Sequence, residues 1–139
     1  MSAEDNKAIY RRIVEEGFNK GNMSVLDELV AANHVNHTDN VHGPEEYKRF
    51  ISMYRAAFPD LQMTIEFQIA EGDKVVNRWT SHGTHRGDLM GIPPTGKQVA
   101  VTGTYIARIV GGKIAEEWGN MDTLGMMQQL GIIPPMGQR

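Results

Sequence analysis

Apolar residues recur with a helical period up to Pro59 and with a period of two beyond it. Ile9, Tyr10, Ile13, Val14, Gly17 and Phe18 share one face of an amphipathic helix predicted over 4–19. Gly21-Asn22 ends that helix, and Asn22 or Ser24 can cap a short second one carrying Val25, Leu26, Leu29 and Val30. Residues 32–42 are polar and histidine-rich and predict at most a short strand near Val35. Gly43-Pro44-Glu45-Glu46 starts a third helix, with Pro44 in the first turn where a missing N–H costs little. Tyr47, Phe50, Ile51, Tyr54 and Phe58 form its apolar stripe, and Pro59 stops it.

From Leu61 the pattern alternates: Leu61, Met63, Ile65, Phe67 and Ile69 on one side, Gln62, Thr64, Glu66 and Gln68 on the other. This predicts a strand with one buried face. Glu71-Gly72-Asp73 turns it into a second strand over 74–85, a loop over 86–96 follows, and a long strand runs from Lys97 to Val110. Gly111-Gly112 supplies the positive φ angles of a tight hairpin. The last strand runs from Lys113 to Asn120, and a short helix with Leu124, Met127 and Leu130 ends at Gly131. Pro134-Pro135 and the tail read as frayed. Helices first and antiparallel strands second mean an α+β fold, with helices packed on one face of a sheet. No linker or repeat interrupts 1–139, so a single domain is expected.

Charge and composition narrow the function. A formal net charge of −3 disfavours nucleic acid and anionic membrane surfaces as partners. The absence of cysteine excludes disulfides, thiolate metal sites and cysteine nucleophiles. No apolar run is long enough to span a bilayer, and the polar start, Met-Ser-Ala-Glu-Asp-Asn-Lys, lacks a signal-peptide core, so a cytoplasmic location is expected. The nine methionines suit either a deformable pocket or an ordinary core.

Asp122 is the leading candidate for chemistry. If the pleat holds to the end of the last strand, Ile114, Glu116, Trp118, Asn120 and Asp122 share one face. A carboxylate beside Trp118 in an apolar pocket would be desolvated and able to exchange a proton with a carbon acid or an alkoxide. Asp122 also directly precedes the last helix, where aspartate is a favoured N-cap. His34, His37, Asp39 and His42 cluster, but His34-x-x-His37 lacks the glutamate and the assured helix of a metalloprotease motif, so no metal is expected. His37 can shuttle a proton or tether a loop. Arg78, Thr80, His82 and Thr84 alternate with Asn77, Trp79, Ser81, Gly83 and His85, and either set can face a cavity. Arg78 would there bind a carbonyl or carboxylate, or else pair with Glu66. His85 is expected to fix the loop that follows it. No Gly-x-Ser-x-Gly elbow and no phosphate-binding glycine loop is present.

The stretch Gly83-Thr-His-Arg-Gly-Asp-Leu-Met-Gly-Ile-Pro-Pro-Thr-Gly-Lys97, with Gly112-Lys113-Ile114, Trp118 to Asp122 and Gln129-Leu130-Gly131, resembles the SnoaL-like polyketide cyclases, a branch of the NTF2-like folds. Gly17-Phe18-Asn19, Val35-Asn36-His37 and Gly43-Pro44-Glu45 extend the resemblance over nearly the whole chain. It implies a cone: three N-terminal helices on a curved, mostly antiparallel sheet, a short C-terminal helix and an apolar pocket. It implies ring closure or isomerisation of a small hydrophobic carbonyl compound, without cofactor, in a homodimer or homotetramer. Asp122 would be the acid/base with His37 brought toward it. Trp118, Asn120, Phe18, Phe50, Tyr54, Arg78, His82 and Tyr105 would line the pocket. The resemblance departs at Phe18 and Phe50, where anthracycline-type cyclases carry polar residues. The same scaffold suits a ketosteroid-type isomerase, with Tyr54 or Tyr105 as oxyanion donor. An epoxide-opening hydrolase would need an Asp–Arg–Asp set, of which Arg78 and Asp122 give part. A non-catalytic binding or assembly module is the remaining alternative.

Overall fold

The computed structural model describes residues 2–134, so the tail beyond Pro134 lies outside the described residues. The first helix, α1 (Ala3–Arg12), continues without a break into a π-helical segment, Ile13–Asn19. The sequence predicts one regular helix here; its last turns are widened instead. The wide turn frees carbonyls, and these find partners: Arg55 Nη1 donates to Phe18 O at 2.7 Å and Asn19 O at 2.9 Å. The Asn19 side chain bonds both backbone groups of Met63, at 2.9 and 2.7 Å, which pins this end to the sheet. Helix α2 (Ser24–Leu29) has no side-chain cap: neither Asn22 nor Ser24 but Met23 is its N-cap, and Ser24 Oγ donates to Asn22 Oδ1 at 2.7 Å.

The polar stretch after α2 holds more strand than its pattern suggests: β1 (Val30–Asn36) and β2 (Val41–His42). Strand β1 owes its existence to a distant partner, pairing in parallel with the last strand. Helix α3 (Gly43–Ala57) follows, then β3 (Gln62–Glu71), β4 (Lys74–Thr84), β5 (Gln98–Val110), β6 (Lys113–Met121) and the short α4 (Thr123–Gln129). The six strands form one sheet in the order β2-β1-β6-β5-β4-β3, antiparallel except at β1–β6. The sheet is curved and unclosed. Its inner face buries Val75, Asn77 and Trp79 of β4 and Val99, Val101, Tyr105, Ala107 and Ile109 of β5, against Tyr10, Ile13, Phe18, Leu26 and Ile51 of the helices. Among the described residues no helix is long and apolar enough to cross a membrane.

One irregularity sets the chemistry of the inner face. Arg108 pairs with Glu116 but Ile109 pairs with Ile114, so Ala115 is an extra residue, a β-bulge in β6. Ile114 faces inward before the bulge; Glu117, Gly119 and Met121 face inward after it, opposite Ala107, Tyr105 and Gly103. Glu116, Trp118 and Asn120 therefore share the outer face. The uninterrupted alternation expected from Ile114 to Asp122 does not hold, since a one-residue slip exchanges the two faces.

Candidate active site

The helices and the inner sheet face enclose an apolar chamber of about 40 Å³, walled mainly by Phe18, Phe58, Trp79, Val101, Tyr105 and Met126. Phe50, Tyr54, Tyr105, Met121 and Met126 also belong to a wider hollow of about 510 Å³ at the open end, together with Thr38, Asp39, Met90 and Asn120. The five shared residues set the small chamber and this wider mouth side by side. Only the mouth falls within the roughly 300–1,000 Å³ of small-molecule pockets.

Two glycines let the wall form. A Cβ on Gly103 would lie 2.2 Å from Trp79 Cζ2, and one on Gly119 would lie 1.8 Å from Tyr105 Cε1. The indole thus lies over one bare backbone position and the phenol over the next strand's, with ring centroids 5.8 Å apart. Seated over Gly119, Tyr105 donates its hydroxyl to Asp39 Oδ2 at 3.0 Å. Asp39 lies in the turn between β1 and β2, and that turn is tied down. Asn36 Oδ1 accepts from the N–H groups of Thr38 and Asp39 at 3.0 and 2.9 Å, and Asn36 Nδ2 donates to Asp39 Oδ2 at 3.2 Å. Thr38 Oγ1 accepts from Gly119 N–H at 2.9 Å. Burial, reinforced by the charges of Asp39 and Glu117, raises the pKa of Tyr105 far above the usual phenol range, so it remains a hydrogen-bond donor. Trp79 Nε1, by contrast, is a buried donor with no hydrogen-bond partner among the described residues.

A second polar cluster lies on the inner face beyond Tyr105. Glu117 is fully buried; its Oε1 lies 2.8 Å from His34 Nε2, and Tyr47 donates to its Oε2 at 3.2 Å. His34 Nδ1 accepts from Gly43 N–H at 3.3 Å, which leaves Nε2 as the donor to the carboxylate. These bonds fasten α3 and β1 to β6. Burial, then the charge of Glu117, pushes the Tyr47 phenol up.

Phe18, Phe50, Tyr54 and Tyr105 line the chamber, and Asn120 borders its mouth. The other sequence candidates lie elsewhere. Asp122 is exposed and accepts from Gly125 N–H at 2.9 Å as the N-cap of α4; it is not part of the chamber wall. His37 is on the outer face, stacked on Trp118 at 5.3 Å and bound to Glu116 at 2.8 Å. Trp118 is therefore an outer-face residue, carried there by the Ala115 bulge. Arg78 is also on the outer face, contacting Thr104 Oγ1 at 3.4 Å; its cross-strand partner is Phe67, not Glu66, because β3 bulges at Glu66. His82 is exposed near the end of β4, in a shallow hollow that Asp60 also lines. His85 accepts from Thr95 N–H at 3.2 Å and fixes the 86–96 loop. The histidines of the 34–42 segment have separate partners, His42 bonding Asn40 at 2.9 Å. Sequence reasoning passed over Asp39 as a chamber residue because nothing local distinguishes it in a polar turn; only the β1–β6 pairing carries that turn to the mouth.

A curved open sheet wrapped by helices, with an apolar hollow and a carboxylate at its rim, defines a small-molecule cone of the kind that hosts acid/base enzymes. The family model of the SnoaL-like polyketide cyclases matches residues 8–130, and the chain belongs to that family. It is 30% identical over 129 residues to the aklanonic acid methyl ester cyclase of Streptomyces peucetius, covering 88% of each chain. It is 29% identical over 119 residues to the nogalonic acid methyl ester cyclase of Streptomyces nogalater, covering 82% of this chain and 89% of the relative. The structure of TsrD from Streptomyces laurentii superposes with a TM-score of 0.89 at 28% identity, over 96% of this chain and 99% of that one. The SnoaL-like cyclase from Jannaschia superposes with a TM-score of 0.85 at 26% identity, over 96% and 95%.

Proposed function

We propose that the protein closes a carbon–carbon ring within a small hydrophobic carbonyl compound, or isomerises one, without a cofactor or metal. The observation that carries this reading is the apolar chamber beside a ligand-sized, carboxylate-bearing mouth, in a chain of the cyclase family. The inner chamber admits only a small substituent, since one water needs roughly 10–15 Å³ of such space. A fused-ring body would occupy the mouth, against Phe50, Tyr54, Met90 and Met121. Apolar walls favour a planar, weakly solvated ligand and keep water from competing for its reactive carbon.

The functional unit in this reading is a cytoplasmic homo-oligomer. The outer sheet face carries an apolar row in register, Ile69, Val76, Ile106 and Trp118, and Ile69 is 59% exposed. A second copy laid on this row buries it.

The test is incubation of the purified protein with aklanonic acid methyl ester and with nogalonic acid methyl ester, followed by chromatography with mass detection. Ring closure moves atoms only within the molecule, so the expected product has unchanged mass and altered retention. Recovery of both compounds unchanged, with no saturable binding by calorimetry, would remove the reading.

A further inference from the structure

We propose that Asp39 is the proton-transferring group of this chamber and that Tyr105 is its positioning residue. The assignment rests on the reading that the chamber takes a carbonyl compound. Three observations support it. Asp39 is a carboxylate of the mouth, and no cation lies within 4 Å of it among the described residues, so it is not consumed by an ion pair. Tyr105 and Asn36 both bond to Oδ2, at 3.0 and 3.2 Å, and Oδ1 makes no hydrogen bond among the described residues. One oxygen is tethered from two sides while the other remains free for a ligand. Independently, Trp79 lines the chamber with its ring beside that of Tyr105, and its Nε1 is buried and unpartnered among the described residues. A ligand carbonyl oxygen, reached by a small shift of the indole, would give that orphaned donor the partner it lacks.

The step balances without a co-reactant. Asp39 takes a proton from a carbon next to a carbonyl, and the electron pair of that C–H bond becomes an enolate. The enolate carbon attacks a second carbonyl carbon of the same molecule. The new C–C bond forms as the C=O π pair moves to oxygen, and that oxygen takes the proton back from Asp39. Tyr105 holds the carboxylate in line through both transfers.

The experiment follows α-proton exchange of 2-tetralone in deuterated buffer by NMR, for the wild type, Asp39→Asn, Tyr105→Phe and Asp122→Asn. Asparagine keeps an oxygen for Tyr105 to bond, so Asp39→Asn should fold, as circular dichroism checks. The wild type should exceed buffer, and Asp39→Asn should lose about 100-fold or more of the enhancement, the usual contribution of a general base. Tyr105→Phe should lower kcat with KM little changed, the mark of a mis-aimed base; Asp122→Asn should match the wild type. A wild-type rate equal to buffer, or full activity in Asp39→Asn, overturns the assignment. Ring closure of aklanonic acid methyl ester is the separate arm. Closure that persists in Asp39→Asn removes Asp39 and leaves the cyclase reading standing. Exchange at Asp39 with no closure of either methyl ester removes the cyclase reading and leaves the acid/base site.

Discussion

Replacing Gly119 with alanine tests how the site is built, because the new methyl would enter space that Tyr105 occupies. The added Cβ would lie 1.8 Å from Tyr105 Cε1 and 1.9 Å from Cδ1. Carbon atoms at contact sit about 3.5–4.0 Å apart, so the ring must withdraw by roughly 2 Å. Trp79, with its ring centroid 5.8 Å away, limits retreat along the wall. A shift of that size breaks the 3.0 Å bond to Asp39. Overpacking of a buried site costs about 1–3 kcal/mol, and about 1 kcal/mol lowers the Tm of a chain of this size by roughly 3–5 °C. The expected result is a Tm lower by roughly 3–15 °C together with loss of 2-tetralone exchange. The decisive assay is a double-mutant cycle with Tyr105→Ala. Without the ring, the alanine methyl at 119 loses its three nearest contacts, all of them to Tyr105, so the two changes should couple by at least about 1 kcal/mol, within the usual range for residues in contact. Additivity to within about 0.5 kcal/mol would refute the packing argument. Full exchange activity in Gly119→Ala would refute the claim that Tyr105 positions Asp39.

Asp122→Ala removes the acceptor for Gly125 N–H and should cost about 1 kcal/mol, a typical cap loss, while turnover is kept; Asp122→Asn should be nearly silent, since asparagine also caps. Abolished turnover in a folded Asp122→Asn would return the acid to that residue. All four tyrosines, Tyr10, Tyr47, Tyr54 and Tyr105, have phenols pushed up chiefly by burial. Their contribution to stability is complete below about pH 10 and is lost as pH rises beyond it, so the native protein should show no phenolate absorbance step near pH 10 while the urea-unfolded chain does. A normal step in the native protein, with the circular dichroism unchanged, contradicts their burial. Ile69→Asp with Trp118→Asp should give a monomer by sedimentation, without loss of the α3–β6 contacts; an oligomer that survives places the subunit contact on another surface.

Much of the fold is legible because its elements are locally determined. The Tyr47 to Phe58 stripe carries a helical period, and the Leu61 to Ile69 alternation marks a strand, but its single buried face holds only as far as Ile65: the bulge at Glu66 turns Phe67 and Ile69 to the exposed outer face. The chamber aromatics Phe18, Phe50, Tyr54 and Tyr105 are legible for the same reason, since a large ring on the buried side of such an element has nowhere to go but inward. Strand β1 is not legible in this way. Val30–Asn36 has a polar, irregular pattern, and its pairing comes from Glu116 and Glu117, far along the chain. Asp39 inherits that opacity, because its position is fixed by β1 and by Tyr105 and not by its neighbours in sequence.

The acid of the site shows how little sequence distance separates a chamber residue from a surface one. Reading β6 as an unbroken pleat puts Glu116, Trp118 and Asp122 inside and Glu117 and Gly119 outside. Ala115 reverses all of it: Glu117 becomes a fully buried partner of His34 and Tyr47, Gly119 becomes the bare floor under Tyr105, and Trp118 turns outward to stack on His37. The strand then ends at Met121, and Asp122 finds a use as a cap for the helix that starts next. With no side chain at 119, β6 supplies no acid at the mouth, and the phenol that fills the gap reaches across to the one carboxylate the β1–β2 turn presents. Glycine at 119, tyrosine at 105 and aspartate at 39 are on this argument a single unit. Changing any one of them should disturb the chemistry of the other two more than it disturbs the fold.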